Sequence, residues 1–423
     1  MKKLALSLFF IHFIGFIAAQ SDTIKLSRNE AENLFLIKNF DLITQRLEIS
    51  QAKARALQAK FWPNPTIGIS EVNLWRTYDV EELPPLLGNW GTTSQVSAQI
   101  EQVITTAGKR RKTVELHQIE VNGEEFELLE IMRELKKELR NTLTDIIYNQ
   151  KHQQIYKSQI ESLEKLTKSY QNQLNQGNIS KAEYIRLKAQ ELDFKKKLIA
   201  LNQDLEELQT EIKGLLILPA AANVYIVDSL EIPNKDIEDY NLQKWVNIAT
   251  QNRPDIQIRL NQEKYAKKNL ELQNAMKTPD ISFTINYDRG GSIMKDFVGV
   301  GASMELPIFD RNKGNIQEAK IQIEKTDLET KKNVLKAENE ITSAVRNYQR
   351  TNKIFGEFDA DYEQSLDKLL ISHEKNFRLR NISMLEYMDF LETYIENKLI
   401  ILETKKELNQ YFENLQYAIG QDL

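Results

Sequence analysis

The sequence contains 423 residues, with no cysteine, 15 glycines, 9 prolines and a formal net charge of -5. The lack of cysteine excludes disulfides, thiolate metal sites and a cysteine-linked lipid anchor within this sequence. The acidic balance gives no reason to expect nucleic-acid binding, whereas few helix breakers and 28% charged residues favour long, solvated helices.

The first residues have the pattern of a secretory signal. Lys2 and Lys3 precede an apolar run over residues 4–17, and Ala18-Ala19 offers a small-residue cleavage site. A membrane anchor is the alternative interpretation, but a spanning helix needs about 20 apolar residues. We therefore expect residues 1–19 to be a signal peptide that is cleaved before Gln20.

Helical and strand patterns alternate in the first half of the chain. Residues 26–60 are predicted to be helical, with Ser27 as N-cap and Glu30 at the spacing of a capping box. Strands are predicted at about residues 66–73 and 94–104, the second with a regular apolar and polar alternation. Residues 108–174 carry a coiled-coil seam, because apolar positions recur in steps of four and three. A returning helix is predicted over residues 180–216.

The same order of patterns follows a linker predicted at residues 219–240. A helix is predicted over residues 241–277, with an interruption at Arg253-Pro254, and strands at about residues 280–288 and 297–306. A second long helix over residues 314–377 and a returning helix over residues 383–419 complete the chain. In both strands apolar and polar residues alternate, which predicts one apolar and one polar face.

A duplicated turn marks the two halves as repeats. Asn178-Ile179-Ser180 recurs as Asn381-Ile382-Ser383, 203 residues later, and each turn is followed by Glu-Tyr at the same spacing. A period near 200 residues is too long for a solenoid and is typical of a duplicated domain. The predicted organisation is a first repeat at residues 20–218, the linker at 219–240 and a second repeat at 241–423.

The four predicted strands have the length and alternation of strands in an outer-membrane barrel. The alternative is two hairpins on a soluble core, with the apolar faces packed inward. Four strands cannot close a barrel, and an open edge cannot lie in lipid. Copies of the chain would therefore combine their strands into one barrel. Two copies would give eight strands, and the side chains of an eight-stranded barrel fill its interior. An open conduit therefore favours three copies and twelve strands.

Several segments, taken in order, resemble the outer-membrane efflux family, the TolC-like channels. They include Asn252-Arg253-Pro254-Asp255, the run at residues 306–315 (LPIFDRNKGN), its counterpart Ala107-Gly108-Lys109-Arg110 and the two Asn-Ile-Ser turns. The resemblance spans residues 26–419. Residues 307–314 look most like the heavy-metal cation-efflux branch.

The resemblance implies a mainly α fold with a small β part, built from duplicated helix, strand, strand, long helix and helix repeats. Four strands per chain would contribute to a twelve-stranded homotrimeric barrel, continued by an α-helical coiled-coil tunnel. The chain would be the outer-membrane channel of a tripartite efflux system in a Gram-negative bacterium. Its expected partners are outer-membrane lipid, a periplasmic adaptor (membrane fusion) protein and an inner-membrane pump of the resistance-nodulation-division class. Heavy-metal cations are the expected cargo; drugs, and polypeptides of type I secretion, are the alternatives.

Further residues take their expected roles from the family. Acidic residues after the second turn narrow the periplasmic mouth of such channels, and Glu386 and Asp389 match them. Glu183 and Arg186 hold the equivalent positions after the first turn. The expected adaptor-facing tips are Gly177, Asn178, Ile179 and Ser180 in one turn and Arg380, Asn381, Ile382 and Ser383 in the other. Arg380 stands where the glycine of such a turn is usual.

Other candidate residues have structural interpretations. Met384 and Met388 could offer thioethers to soft cations, but methionines on a helix stripe are expected to pack. His117, His152 and His373 are scattered on long helices, where surface or seam roles are expected ahead of metal binding. Aromatic residues at strand ends are candidates for a membrane-interface girdle: Phe61, Trp62, Trp75, Tyr78 and Trp90.

Two other classes of protein compete with the channel. A soluble periplasmic coiled-coil adaptor would usually contain one helical hairpin and separate β domains, rather than two equal repeats. An enzyme is disfavoured, because no glycine-rich phosphate loop and no His/Asp/Glu set at catalytic or metal spacing is present in the sequence. No cofactor and no metal site is expected.

Overall fold

The computed structural model describes residues 23–72, 82–85, 87, 92, 95–230, 232, 241–290, 294–358 and 361–423. These residues are mainly helical with a small β part, as predicted. The elements in chain order are β1 (Thr23–Leu26), α1 (Arg28–Lys38), α2 (Phe40–Gln58), β2 (Thr66–Ser70), β3 (Val96–Ile104), α3 (Lys109–Asn175), α4 (Lys181–Leu216), β4 (Asn223–Ile226), α5 (Leu242–Asn252), α6 (Pro254–Ala275), β5 (Ile281–Arg289), β6 (Phe297–Met304), α7 (Lys313–Phe355), α8 (Tyr362–Arg378) and α9 (Met384–Ile419). The predicted signal peptide lies outside the described residues.

The predicted first helix is two helices. The Ser27 cap and its capping box with Glu30 are present, as predicted. At Asn39 the backbone becomes extended, and the buried amide of this residue donates a hydrogen bond to the carbonyl of Leu215 at 3.1 Å. The helix breaks there because the Asn39 side chain is committed to this non-local partner, which the local pattern does not reveal.

A small parallel sheet was not predicted. Strand β1 pairs in parallel with β4, in register from Thr23 opposite Asn223 to Leu26 opposite Ile226. Strand β4 lies within the segment interpreted as a linker. Two strands of four residues carry too little alternation to be recognised, and a parallel pairing depends on a partner about 200 residues away.

The second predicted long helix is also interrupted. Helix α3 contains 67 residues without a break, whereas α7 ends at Phe355 and α8 begins at Tyr362. Gly356, a poor helix former, follows α7 directly. The ring of Phe358 then contacts the rings of Phe355 and Tyr362, each with centroids 6.1 Å apart, which stabilises the turn. The interruption at Arg253-Pro254 between α5 and α6 is present as predicted.

Two compact units divide the chain. One lies within Met1–Phe40, Leu135–Ile237 and Arg346–Asn414, and the other within Asp41–Glu134, Glu238–Val345 and Leu415–Leu423. We call them the first and the second unit. In the first, apolar residues of α3, α4, α8 and α9 form one core, including Leu163, Leu187, Phe377, Tyr387 and Leu391. The second contains the larger sheet.

The larger sheet contains the four strands predicted from alternation. Its order is β2-β3-β5-β6, and every neighbouring pair is antiparallel. The register aligns Ile67, Ile100, Ile285 and Val300 in one row across all four strands. Each strand begins or ends within three residues of its predicted bounds.

Candidate functional site

One face of the larger sheet is apolar and exposed. Next to the row of Ile67, Ile100, Ile285 and Val300 lies a second row of Ile69, Ala98, Tyr287 and Val298. Ile67 and Val300, at the two edges of the sheet, are 70% and 84% exposed. No element of the described chain covers this face as a core would, whereas hairpins packed inward on a soluble core would bury it.

The opposite face is polar. Rows of Thr66, Glu101, Thr284 and Gly301, and of Gly68, Gln99, Asn286 and Gly299, alternate with the apolar rows. The Ser97 hydroxyl donates to the carboxylates of Glu71 and Asp288, at 3.0 and 3.1 Å. The side-chain amide of Gln95 donates to the same two carboxylates. The predicted division into an apolar and a polar face is therefore confirmed.

Both edges of this sheet continue into helices with exposed apolar seams. Among the described residues, β2 and β6 have no strand neighbour on their outer sides. Helix α2 leads into β2 and carries exposed Ile43, Leu47 and Leu57. Helix α7 follows β6 and carries exposed apolar residues spaced by seven: Ile321, Leu328 and Leu335. Each edge strand is thus joined along the chain to a helix with exposed apolar residues, α2 before β2 and α7 after β6, and those of α7 have coiled-coil spacing.

The Arg253 motif forms a buried charge cluster in the second unit. The Arg253 side chain is 1% exposed and donates two hydrogen bonds to the Asp255 carboxylate, at 3.0 and 2.7 Å, and one to the carbonyl of Ala418 at 2.9 Å. Glu340 lies 2.7 Å from the same guanidinium. Burial alone would raise the pKa of Asp255, but the hydrogen bonds and charge of Arg253 hold it below its usual value. The sequence marked this motif without revealing its partners.

The two helix turns expected to be tips have the same backbone geometry. Gly177 has φ +74° and Arg380 has φ +61°, so both occupy the left-handed conformation that ends a helix. The amide of Asn178 donates to the carbonyl of Gln173 at 2.9 Å, and Asn381 makes the matching bond to Asn376. The turn therefore forms without glycine in the second copy, at the steric cost that a side chain meets in this conformation.

Arg380 also joins the two turns within the first unit. Its guanidinium donates to the side-chain oxygen of Gln173, in the last turn of α3, at 3.1 Å. Ile179 and Ile382 are half-buried, and Ile382 packs against the core of this unit. Asn178 and Asn381 are exposed.

The candidate gate carboxylates at 183 and 386 are capping residues. Oε2 of Glu386 accepts a hydrogen bond from the Ser383 amide at 2.7 Å, and Oε2 of Glu183 accepts one from the Ser180 amide at 2.9 Å. The backbone hydrogen bond from Ser383 lowers the pKa of Glu386. Sequence reasoning identified Glu30 as a capping-box residue but missed the same Ser-x-x-Glu spacing in these two turns, where it was equally visible.

The other two candidate gate residues are exposed. Asp389 lies one turn after Glu386 on the exposed side of α9. Arg186 is exposed on α4, and the described chain contains no ion pair of its guanidinium. Both side chains are therefore open to solvent in a single chain.

The methionines and histidines have structural surroundings. Met384 and Met388 are each 7% exposed and belong to the core of the first unit, as the packing interpretation predicts. The His373 ring stacks on Phe390 with centroids 3.9 Å apart. His117 places Nδ1 2.7 Å from Glu120.

His152 lies among aromatic rings. Its ring centroid is 5.5 Å from that of Tyr148 and 5.3 Å from that of Tyr156. Neither ring nitrogen has a hydrogen-bond partner among the described residues, and burial lowers the pKa of this histidine. Nowhere in the described ranges do three or more His, Asp or Glu residues come together in a group that could hold a metal ion.

Two of the candidate girdle residues are described. Phe61 and Trp62 are exposed, and the guanidinium of Arg110 lies 4.2 Å from the centre of the Trp62 ring. Trp75, Tyr78 and Trp90 lie outside the described residues. None of the described helices has an apolar stretch long enough to cross a bilayer.

No protein-family model matches the sequence, and comparison with curated proteins finds no match in sequence. Solved structures do match. CusC, whose crystal structures concern folding and transmembrane channel formation, is similar with a TM-score of 0.73 and 18% identity, over 94% of this chain and 93% of CusC. The CmeC outer membrane channel of Campylobacter jejuni has a TM-score of 0.73 and 15% identity, over 93% of this chain and 85% of CmeC. The open state of the MtrE outer membrane channel of Neisseria gonorrhoeae has a TM-score of 0.70 and 14% identity, over 94% of this chain and 89% of MtrE.

These likenesses cover nearly the whole chain, although the sequences share fewer than one residue in five. The resemblance predicted from the repeated motifs is thereby confirmed for the fold. The chain has the fold of the TolC-like outer-membrane efflux channels.

Proposed function

We propose that this chain is the outer-membrane channel of a tripartite efflux system. The observation that supports this most is the larger sheet, with one exposed apolar face, one polar face and two open edges. Lipid is the environment in which such an apolar face is stable, and the polar face would then line water. Open edges are not tolerated in lipid, because every backbone N–H and C=O must be paired there.

Closure by further copies satisfies both edges. If β2 of one copy pairs with β6 of the next, the contact is heterologous and generates a ring. The exposed seams of α2 and α7 support the same arrangement, since each continues from one of the two open edges. Three copies supply twelve strands, enough for an open barrel, and a homotrimeric α-helical tunnel would continue it into the periplasm.

The membrane role is tested with a pair of substitutions on opposite faces of the sheet. Val300→Arg puts a charge on the apolar face, which costs about 2–4 kcal/mol per chain near the bilayer midplane. Asn286→Arg puts the same charge on the polar face. We expect Val300→Arg to abolish the heat-sensitive trimer in outer-membrane fractions and Asn286→Arg to preserve it. Equal behaviour of the two variants, or absence of the wild-type protein from the outer membrane, would refute the proposal.

The channel would serve as a passive exit duct for an inner-membrane pump of the resistance-nodulation-division class, reached through a periplasmic adaptor. We propose that the turns at residues 177–180 and 380–383 face the adaptor. Their exposed asparagines and matched backbone geometry offer the same contact twice in each copy. Site-specific crosslinking from residue 178 or 381 to the adaptor tests this contact, and crosslinks confined to other surfaces would contradict it.

We further propose a gate at the periplasmic mouth, formed by Glu386 and Asp389 with Glu183 and Arg186 nearby. Three copies would bring six carboxylates of the first two residues around the axis, where they would favour cations. The double variant Glu386→Gln/Asp389→Asn tests this gate, because it removes both carboxylate charges. Glutamine can also form a capping box, so the start of α9 is kept.

Single-channel recordings of this double variant measure the gate directly. We expect higher conductance and weaker cation preference than in the wild type. Glu396→Gln is the matched control, since Glu396 is exposed on α9 seven residues beyond Asp389. If the double variant and the control both behave as the wild type, the carboxylates do not form a constriction.

Heavy-metal cations are the proposed cargo, with drugs and secreted polypeptides as alternatives. The support is the similarity of residues 307–314 to the cation-efflux branch. A deletion strain tested for growth on Zn²⁺, Co²⁺, Cd²⁺, Cu²⁺ and Ag⁺, beside dyes, detergents and antibiotics, decides between them. Sensitivity restricted to the metals supports the metal cargo, and sensitivity restricted to the organic compounds rejects it while keeping the channel.

A further inference from the structure

Four chain segments meet at one edge of the larger sheet, and we call them the junction collar. They are residues 59–65 before β2, 105–113 after β3, 276–280 before β5 and 305–314 after β6. The antiparallel register brings them together, since Thr66 lies opposite Glu101, and Ile104 and Met304 both lie opposite Ile281. The collar is thus the rim of the sheet where strands become helices.

Direct contacts hold the collar together. The guanidinium of Arg110 donates to the carbonyl of Lys60 at 2.7 Å and covers the ring of Trp62. The amide and hydroxyl of Thr106 donate to the Asp280 carboxylate and the Pro279 carbonyl, at 2.8 and 2.6 Å. These bonds join three of the four segments, those before β2, after β3 and before β5, into one local structure.

Large apolar side chains point outward from this surface. Phe309 is fully exposed, and Leu306 and Ile308 beside it are mostly exposed. Phe61 and Trp62 contribute exposed aromatic rings from the segment before β2. Two of these exposed apolar side chains therefore lie beside β2 and three beside β6, at the two ends of one rim, where an apolar environment would stabilise them.

The same rim is strongly basic. Its four segments contain eight Lys or Arg residues and three Asp or Glu residues, whereas the chain as a whole has a net charge of -5. One of the three acids, Asp280, is neutralised by Lys109 at 2.8 Å. Arg111, Arg311 and Lys313 remain exposed. Of these, Arg111 lies 3.9 Å from Glu115, and Arg311 donates a hydrogen bond to the carbonyl of Pro307 at 3.3 Å.

We propose that the junction collar binds the headgroup layer of anionic phospholipids, with its apolar side chains inserted at the acyl boundary. Aromatic and aliphatic rings beside lysine and arginine fit that layer, where apolar atoms leave water and cations meet phosphate. Anionic headgroups would neutralise the excess of basic residues, whereas the collars of neighbouring copies in the proposed ring add to one another's positive charge. The inference rests on the proposed function, which puts this rim at the periplasmic boundary of the outer membrane.

The position of Phe309 is measured first. The chain contains no cysteine, so Phe309→Cys carries a single nitroxide label, and Lys320→Cys on α7 is the control. In bilayers of phosphatidylethanolamine and phosphatidylglycerol, we expect the label at 309 to collide with oxygen more than with a water-soluble nickel chelate, and the label at 320 to show the reverse. A label at 309 that is shielded from both reagents would be covered by a second copy, and this would overturn the proposal.

The role of charge is measured with spin-labelled lipids. We compare the association of phosphatidylglycerol and phosphatidylcholine with the wild-type trimer and with Arg111→Gln/Arg311→Gln/Lys313→Gln. A basic residue at a charged lipid surface contributes about 1 kcal/mol, a roughly five-fold preference, so the triple variant should lose most of the selectivity. The control changes three exposed lysines farther along α7: Lys320→Gln/Lys325→Gln/Lys332→Gln.

The outcomes separate the two proposals. Loss of phosphatidylglycerol selectivity in the collar variant alone supports the lipid site. A wild-type trimer that conducts ions but binds both lipids equally overturns the proposed lipid site and still supports the proposed channel. A wild-type protein that forms no trimer and no conductance in bilayers overturns the channel and the lipid site together.

Discussion

Replacing Arg253 with methionine should destabilise the protein by about 3–5 kcal/mol, the cost of breaking a buried ion pair from one side. The side chain is almost fully buried and makes three hydrogen bonds, two to Asp255 and one to the carbonyl of Ala418. Without the guanidinium, a mostly buried carboxylate and a carbonyl lose their partners. Methionine keeps much of the volume, so the expected loss comes from the uncompensated charge rather than from a cavity.

The measurement is urea denaturation followed by circular dichroism, at one detergent and protein concentration. Arg259→Met is the matched control, because Arg259 lies on α6, the helix that begins directly after Arg253. Its side chain is 41% exposed, and its guanidinium lies 3.8 Å from the Glu329 carboxylate. Such exposed pairs contribute about 0–1 kcal/mol. If Arg253→Met is no more destabilising than Arg259→Met, the buried cluster does not stabilise the fold and the reasoning is wrong.

The same cluster has a pH signature. Asp255 has a lowered pKa in the folded protein, so its contribution to stability is present above the unfolded pKa of about 3.9. That contribution is lost as the pH falls through the folded pKa. The difference in stability between wild type and Arg253→Met should therefore shrink below about pH 4, and a difference that stays constant would contradict the assignment.

Three further predictions concern single positions. Gly420→Ala should lower the free energy of unfolding by about 2–4 kcal/mol, because the residue has φ +83° and a Cβ would lie 2.8 Å from Cγ of Arg253. Unchanged stability in the same urea denaturation assay would contradict this. Arg380→Gly should raise the free energy of unfolding by at most about 1 kcal/mol, because glycine adopts the left-handed backbone without steric cost. A clear decrease in stability would show that the hydrogen bond from Arg380 to Gln173 contributes more. Burial lowers the pKa of His152, so the unfolded chain binds more protons and stability should fall as the pH drops through about 6.5. His152→Phe should flatten that slope between about pH 7 and 5, whereas His117→Gln, which changes a histidine paired with Glu120, should retain it.

Local patterns predicted the regular elements well. Alternation over residues 94–104 predicted β3 and its two faces, because side chains on a strand point to opposite sides in every register. The Ser27 cap was predicted because its partner is three residues away. The 67-residue helix α3 was predicted from the spacing of its apolar residues and from a stretch without proline.

The predictions failed where a distant partner decides the outcome. Asn39 interrupts a helical pattern because its amide bonds to Leu215, and β1 exists because β4 lies beside it. Glu386 was interpreted as a gate residue alone, although its carboxylate also caps α9. This capping role is the exception, because its partner Ser383 is only three residues away.

Amino-acid order alone sets the helical and strand periods, the two faces of each predicted strand, the duplicated turns and the charge balance. The periods and faces depend on residues within a few positions of one another, and the turns and charges are recognised by comparing or counting residues, so all of them can be found without knowing the fold. Three outcomes follow from the packing of the folded chain: which strands share a sheet, the exposed apolar face with both edges open among the described residues, and the burial of Arg253 against the Ala418 carbonyl. Those outcomes depend on contacts between residues up to about 200 positions apart, which the packing of the whole chain selects and no local pattern encodes.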